Sequence, residues 1–197
     1  MSGKMKKQQI KAQNTRNKII NAAKELFVQE EYEGVSVASI VAKAGCSVGA
    51  FYGHFKSKEA LTTRIWLDTV TRLISESVEK GSRITDKEAF IDYLIMHSHV
   101  ARENPIMNAL YRHSRLNAED RVELTSYASR FLGMIKNMLY NQAPDASDET
   151  LWSYASIIHT VLNAHSQQGY NYEYMRFEDV VLKDTLLTFF DMCRDTK

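Results

Sequence analysis

Histidine, cysteine and carboxylate side chains are the groups that could catalyse or hold a metal. This chain shows none of them in a recognisable catalytic or metal-binding spacing. Five of its six histidines are His97, His99, His113, His159 and His165. No two stand four residues apart, the spacing that sets paired imidazoles on one helical face. His97 and His99, two residues apart on a helix, diverge. Cys46 and Cys193 form no cluster, and Cys46 is expected to be a small buried hydrophobe. No glycine-rich phosphate loop, nucleophile elbow or His-Glu-x-x-His sequence is present. The expectation is therefore no enzyme, no catalytic residue, no bound metal and no resident cofactor, with a helical hydrolase or haem-binding catalyst as the disfavoured alternative.

A pattern with a mechanical reading lies in residues 36–55, SVASIVAKAGCSVGAFYGHF. Ser36 is placed to cap a short helix carrying Val37, Ile40, Val41 and Ala44. Gly45 can take the left-handed conformation that ends it. Ser47 can cap a second short helix with Ala50, Phe51 and Phe55. Ala42, Val41 and Phe51 are sized for two helices that cross closely, and Gly49, Ala50 and Gly53 keep the second helix slim. Two short helices around such a turn form a helix-turn-helix, whose second member can enter a major groove about 12 Å wide.

These elements are positioned by a helix from Thr15, with Ile19, Ile20, Ala23, Leu26 and Phe27 on one face. Beyond them the periodicity predicts helices over 57–80, 86–103, 105–115, 118–142, 148–169 and 177–194, and no strand. The fold class is all-α: an N-terminal three-helix helix-turn-helix domain and a larger C-terminal helical domain. Three segments result: a basic flexible arm at 1–14, the helix-turn-helix domain at 15–60, and a larger helical domain at 61–197. Helix 57–80 is read as the only covalent link between the two domains.

Charge supports an anionic partner at one end. The chain has 25 Lys+Arg against 24 Asp+Glu, yet residues 1–64 hold 11 of the bases and only 5 of the acids. Its 44% hydrophobic content excludes general disorder. The basic, polar start and the absence of a long apolar run argue for a cytoplasmic protein with no membrane segment.

Residues 15–61 resemble the DNA-binding domain of the TetR family of bacterial transcriptional regulators. The matching elements run through Ile20, Ala23, Leu26 and Phe27, then Gly34, Ser36-Val37, Ile40-Val41-Ala42 and Ala44-Gly45-Cys46-Ser47. They continue with Gly49, Phe51-Tyr52, His54-Phe55 and Ser57-Lys58-Glu59-Ala60-Leu61. The resemblance implies a ligand-responsive DNA-binding regulator, a repressor released from an inverted-repeat operator by a small, largely apolar effector. A metal- or haem-sensing regulator of the same fold is the alternative. It makes 48–55 the recognition helix and gives Tyr52, His54 and Lys58 to phosphates. Ser36 and Ser47 would cap and reach phosphate oxygens, while Phe51 and Phe55 would be core. Val48 and Gly53 depart from the family's usual residues, and 47–55 contains no Arg, Asn or Gln to read a base edge bidentately. Val48 and Ala50 can touch thymine methyls; DNA shape, the basic arm or Lys43 would supply the rest.

From Thr150 to Tyr172 there is no Asp, Glu, Lys or Arg. A helix without charges is enclosed on most sides, so 148–169 and 177–194 are expected to pair with their copies in a homodimer, as the resemblance implies. The effector pocket it implies would draw on Trp66, Tyr93, His97, Met107, Tyr111, Phe131 and Met134. His97 shares an inward face with Phe90, Tyr93, Leu94 and Ala101.

Overall fold

The computed structural model describes residues 2–166 and 178–195. The described residues are helical with turns and contain no strand. The helices are α1 (Ser2–Gln29), α2 (Val37–Ala44), α3 (Val48–Tyr52), α4 (Lys58–Gly81), α5 (Lys87–Glu103), α6 (Pro105–Leu110), α7 (Ala118–Gln142), α8 (Asp148–Ser166) and α9 (Asp179–Asp195). A 3₁₀ turn at Tyr111–His113 follows α6. The ends 167–169 and 177 of the expected dimer helices lie outside the described residues.

The chain divides into two compact units, Met1–Thr69 with Pro105–Asn117, and Val70–Asn104 with Ala118–Lys197. Two expectations change. The segment 1–14 is helical from Ser2, continuous with α1: it holds one glycine and no proline, and Lys, Gln and Ala favour a helix once α1 supplies the costly nucleus. And α4 is not the only link, because the chain passes between the units at 69–70, 104–105 and 117–118.

In the first unit α1 packs against α2, α3 and α6. Its apolar stripe delivers Ile19, Ala23 and Phe27 to a core completed by Ile40, Phe51, Leu61 and Ile65, all at most 2% exposed. Ala42 is exposed and takes no part in a close helix crossing, because the buried positions of α2 are Ile40, Val41 and Ala44.

In the second unit α5, α7, α8 and α9 surround one core that includes Phe90, Leu94, Ile135, Leu139, Ala155, Ile158, Leu182, Leu186 and Phe190. The apolar residues of α8 and α9 expected at a dimer interface divide into two sets. Leu182, Leu186, Phe190 and Cys193 are buried within the chain itself, whereas Trp152, Ile157, Val180, Val181 and Met192 face outward.

Candidate nucleic-acid interface

Helix α2 is closed at both ends by local chemistry. Ser36 Oγ accepts from the Ser39 amide at 3.0 Å, and the Ser36 amide donates to Ser39 Oγ at 3.0 Å, a reciprocal capping box. At the other end Gly45 takes φ 63° and ψ 42°. There the Gly45 amide donates to the Ala42 carbonyl (3.2 Å) and the Cys46 amide to the Val41 carbonyl (3.0 Å). This is the Schellman closure, and it needs a residue without a Cβ at position 45. One turn later Ser47 Oγ accepts from the Ala50 amide at 3.1 Å and starts α3. Cys46, between the two caps, is half-buried rather than buried.

Phe51 is fully buried and Phe55 nearly so, which fixes α3 by its inner face. The outer face then presents Val48 at 48% and Tyr52 at 56% exposure. Exposing a valine and a tyrosine on one short helix has no folding benefit, so this face is available to a partner. Ser36, Ser47 and Lys43 are also exposed, and Ala50 and His54 are half-buried. Lys43 pairs with Glu25 at 2.9 Å across a solvated surface. Such a pair contributes little and can be exchanged for another anion.

Lys58 is engaged differently from expectation. Its ammonium donates to the carbonyls of Tyr32 (2.9 Å) and Val35 (2.8 Å) and lies 3.9 Å from the centre of the Tyr32 ring. These partners close the loop after α1 onto the start of α4, so the side chain is a clamp within the protein. Lys56, outside the matching motif residues, is exposed. Its only sequence signal is a basic residue one position before the cap of α4.

Residues 19–65 match the family model of bacterial regulatory proteins, tetR family. The HTH-type transcriptional regulator UidR of Escherichia coli K12 is 35% identical over 91 residues, which is 46% of this chain and 44% of that protein. The transposon Tn10 TetC protein of Escherichia coli is 43% identical over 96 residues, 45% and 48% of the two chains. This chain thus spans under half the length of these curated relatives. Among solved structures, a transcriptional regulator of the TerR/AcrR family from Aquifex aeolicus VF5 superposes with a TM-score of 0.56 at 25% identity, covering 90% of this chain and 98% of that one. Residues 19–65 thus carry the N-terminal DNA-binding domain typical of the tetR family of bacterial regulatory proteins.

The residues expected around an effector fall in both units. Trp66, Met107 and Tyr111 belong to the first. The Trp66 and Tyr111 ring centres are 6.2 Å apart, and the buried Trp66 indole N–H has no acceptor among the described residues. Tyr93, His97, Phe131 and Met134 belong to the second unit. There Tyr93 donates to the Ser77 carbonyl at 3.0 Å, and His97 Nε2 donates to the Leu73 carbonyl at 3.3 Å. The Phe131 ring lies 5.4 Å from His97 and 5.8 Å from His159. Burial pushes the pKa of both histidines below the usual imidazole value, which keeps them neutral near pH 7. A small cavity in this unit is lined by Gly81, Ile84, Phe90, Met134, Asn137 and Met138; of the expected set, Met134 lines it. No helix among the described residues is long and apolar enough to cross a membrane.

Proposed function

We propose that the chain is a cytoplasmic transcriptional regulator that binds duplex DNA as a homodimer, acting as a repressor released by a small, largely apolar effector. The observation that carries this reading is the outward face of α3, held by two local caps and a buried Phe51 while Val48 and Tyr52 are exposed. In this reading Val48 and Ala50 meet thymine methyls, and Ser36, Lys43, Ser47, Tyr52 and His54 meet the phosphate backbone. Lys58 acts by holding the α1–α2 loop rather than by touching phosphate. With no bidentate base reader on α3, specificity rests on DNA shape and apolar contacts.

The dimer would form through the outward faces of α8 and α9, where Trp152, Ile157, Val181 and Met192 are exposed. The effector would engage Tyr93, His97, Phe131 and Met134 in the second unit, with Trp66, Met107 and Tyr111 as first-unit candidates. Within the second unit, neutral His97 offers a hydrogen bond to a polar group on an otherwise apolar molecule.

Selection of bound sequences from a random duplex pool tests the reading. It should return an inverted repeat with half-sites about one helical turn apart. Tyr52→Ala should weaken binding to every sequence alike, and Lys43→Ala should reduce the salt slope of log K by about 1. Recovery of no enriched sequence, together with unchanged affinity for Tyr52→Ala, would reject it.

A further inference from the structure

Three helices of the second unit bring His99 (α5), His165 (near the end of α8) and Asp179 (start of α9) together. One ligand-capable atom from each lies within 4.8 Å of the other two. His99 Nε2 is 2.8 Å and 2.9 Å from the two Asp179 carboxylate oxygens. His165 Nε2 is 3.5 Å from Asp179 Oδ1.

The protons at this junction can be assigned from the hydrogen bonds. Ser98 Oγ donates its one hydrogen to the Ile95 carbonyl at 2.6 Å. Toward His165 Nδ1, 2.7 Å away, it must therefore accept, and Nδ1 carries the proton. In neutral His165 this leaves Nε2 as a bare lone pair. The residue is 0% exposed, and Nε2 has no hydrogen-bond partner among the described residues. It faces a carboxylate oxygen, another lone-pair donor.

We propose that His99 Nε2, His165 Nε2 and the Asp179 carboxylate form a binding site for a divalent first-row transition-metal ion. A cation converts the facing lone pairs from a repulsion into a coordination sphere. Two imidazoles and one carboxylate suit zinc or its neighbours, and not calcium or magnesium, which take oxygen ligands. Ligands about 2.0 Å from a tetrahedral ion are about 3.3 Å from each other. The separations of 2.8 Å and 3.5 Å bracket that value. The Nδ1–H to Ser98 contact is the outer-shell bond that fixes a ligating histidine's tautomer and orientation. The fourth position is left to water or a small anion.

Arg102 opposes the ion. Its guanidinium contacts His99 Nδ1, and since Arg only donates, Nδ1 is then the acceptor and Nε2 carries the proton toward Asp179. To ligate through Nε2 as a neutral imidazole, His99 must carry its proton on Nδ1 instead, and Arg102 must leave. Metal binding and the Arg102–His99 contact are mutually exclusive. The proposal does not depend on DNA binding.

The test is titration of the tag-free, chelator-treated full chain with Co²⁺, followed by visible absorption, and with Zn²⁺ in competition. The unchanged chain should take up one equivalent with the intense bands of a four-coordinate ion. Asp179→Asn and His99→Gln, both at sites reached by solvent, should lose that signal while keeping their helical circular dichroism. Ser98→Ala should weaken binding about 10–100-fold. Arg102→Ala should tighten it, an effect no merely structural role for the junction produces. Absence of uptake by the unchanged chain, or equal affinity in Asp179→Asn, would overturn the proposal.

Discussion

In the α2–α3 region every cap closes within five residues: Ser36 on Ser39, Cys46 on Val41, Ser47 on Ala50. At the α5–α8–α9 junction the corresponding bonds join residues 67 and 80 positions apart, Ser98 to His165 and His99 to Asp179. The first region is shaped by its own sequence and needs the rest of the chain chiefly to bury Phe51 and Ile40. The second has its geometry only if three helices pack in register. A substitution in the first should therefore cost what its local bond is worth. A substitution beneath the second should spread.

The largest contrast is between two residues of the helices expected at a dimer interface. Leu186 is fully buried in the second unit's own core, so Leu186→Arg should destabilise the chain by more than about 4 kcal/mol, read as loss of the cooperative thermal transition. Ile157, 42% exposed on α8, should accept Arg without loss of helical content and shift the sedimenting mass to monomer. If the two variants behaved alike, the division of these helices into inward and outward faces would be wrong.

Next comes Gly81 at the end of α4. A Cβ there would lie 2.5 Å from Met134 Sδ and 2.9 Å from Tyr93 Cε1. Gly81→Ala should cost about 1–3 kcal/mol through displaced neighbours, measured by urea denaturation. Because Tyr93 and Met134 are candidate effector contacts, the same variant should alter effector affinity and leave the α2–α3 caps intact. A smaller effect is expected for Ser36→Ala, about 1 kcal/mol, since one reciprocal cap is lost. Its amide-exchange signature should stay within α2 and not reach α8.

The gentlest probe is pH. His97, His159 and His165 all have pKa values lowered by burial in the folded chain. Between each folded value and the unfolded value near 6.5, the unfolded state binds more protons. Stability is thus fully present above about pH 6.5 and falls as the pH drops below it. A thermal melt followed from pH 8 to pH 5 should show this loss, and His97→Gln should flatten it. A midpoint that rose on acidification would contradict the burial of these rings.

The sequence determined the helix-turn-helix because each of its signals is local. A serine three residues ahead of an amide, a glycine where φ must be positive, and apolar residues at helical spacing in α1 are all visible without knowing what packs where. The helices of the second unit were legible for the same reason, and in the first unit Pro105 opens α6. The family resemblance assigned roles to Tyr52 and His54 that residue spacing alone could not. Tertiary structure decided what depends on partners far along the chain. It turned Leu186 inward and Ile157 outward on helices that were both apolar. It gave the ammonium of Lys58 to two carbonyls more than twenty residues away. It placed His165 against Asp179, although neither stands at metal-ligand spacing from the other or from His99. Periodicity reports which face of a helix is apolar, but not which neighbour covers it; that is settled only by how α5, α7, α8 and α9 pack.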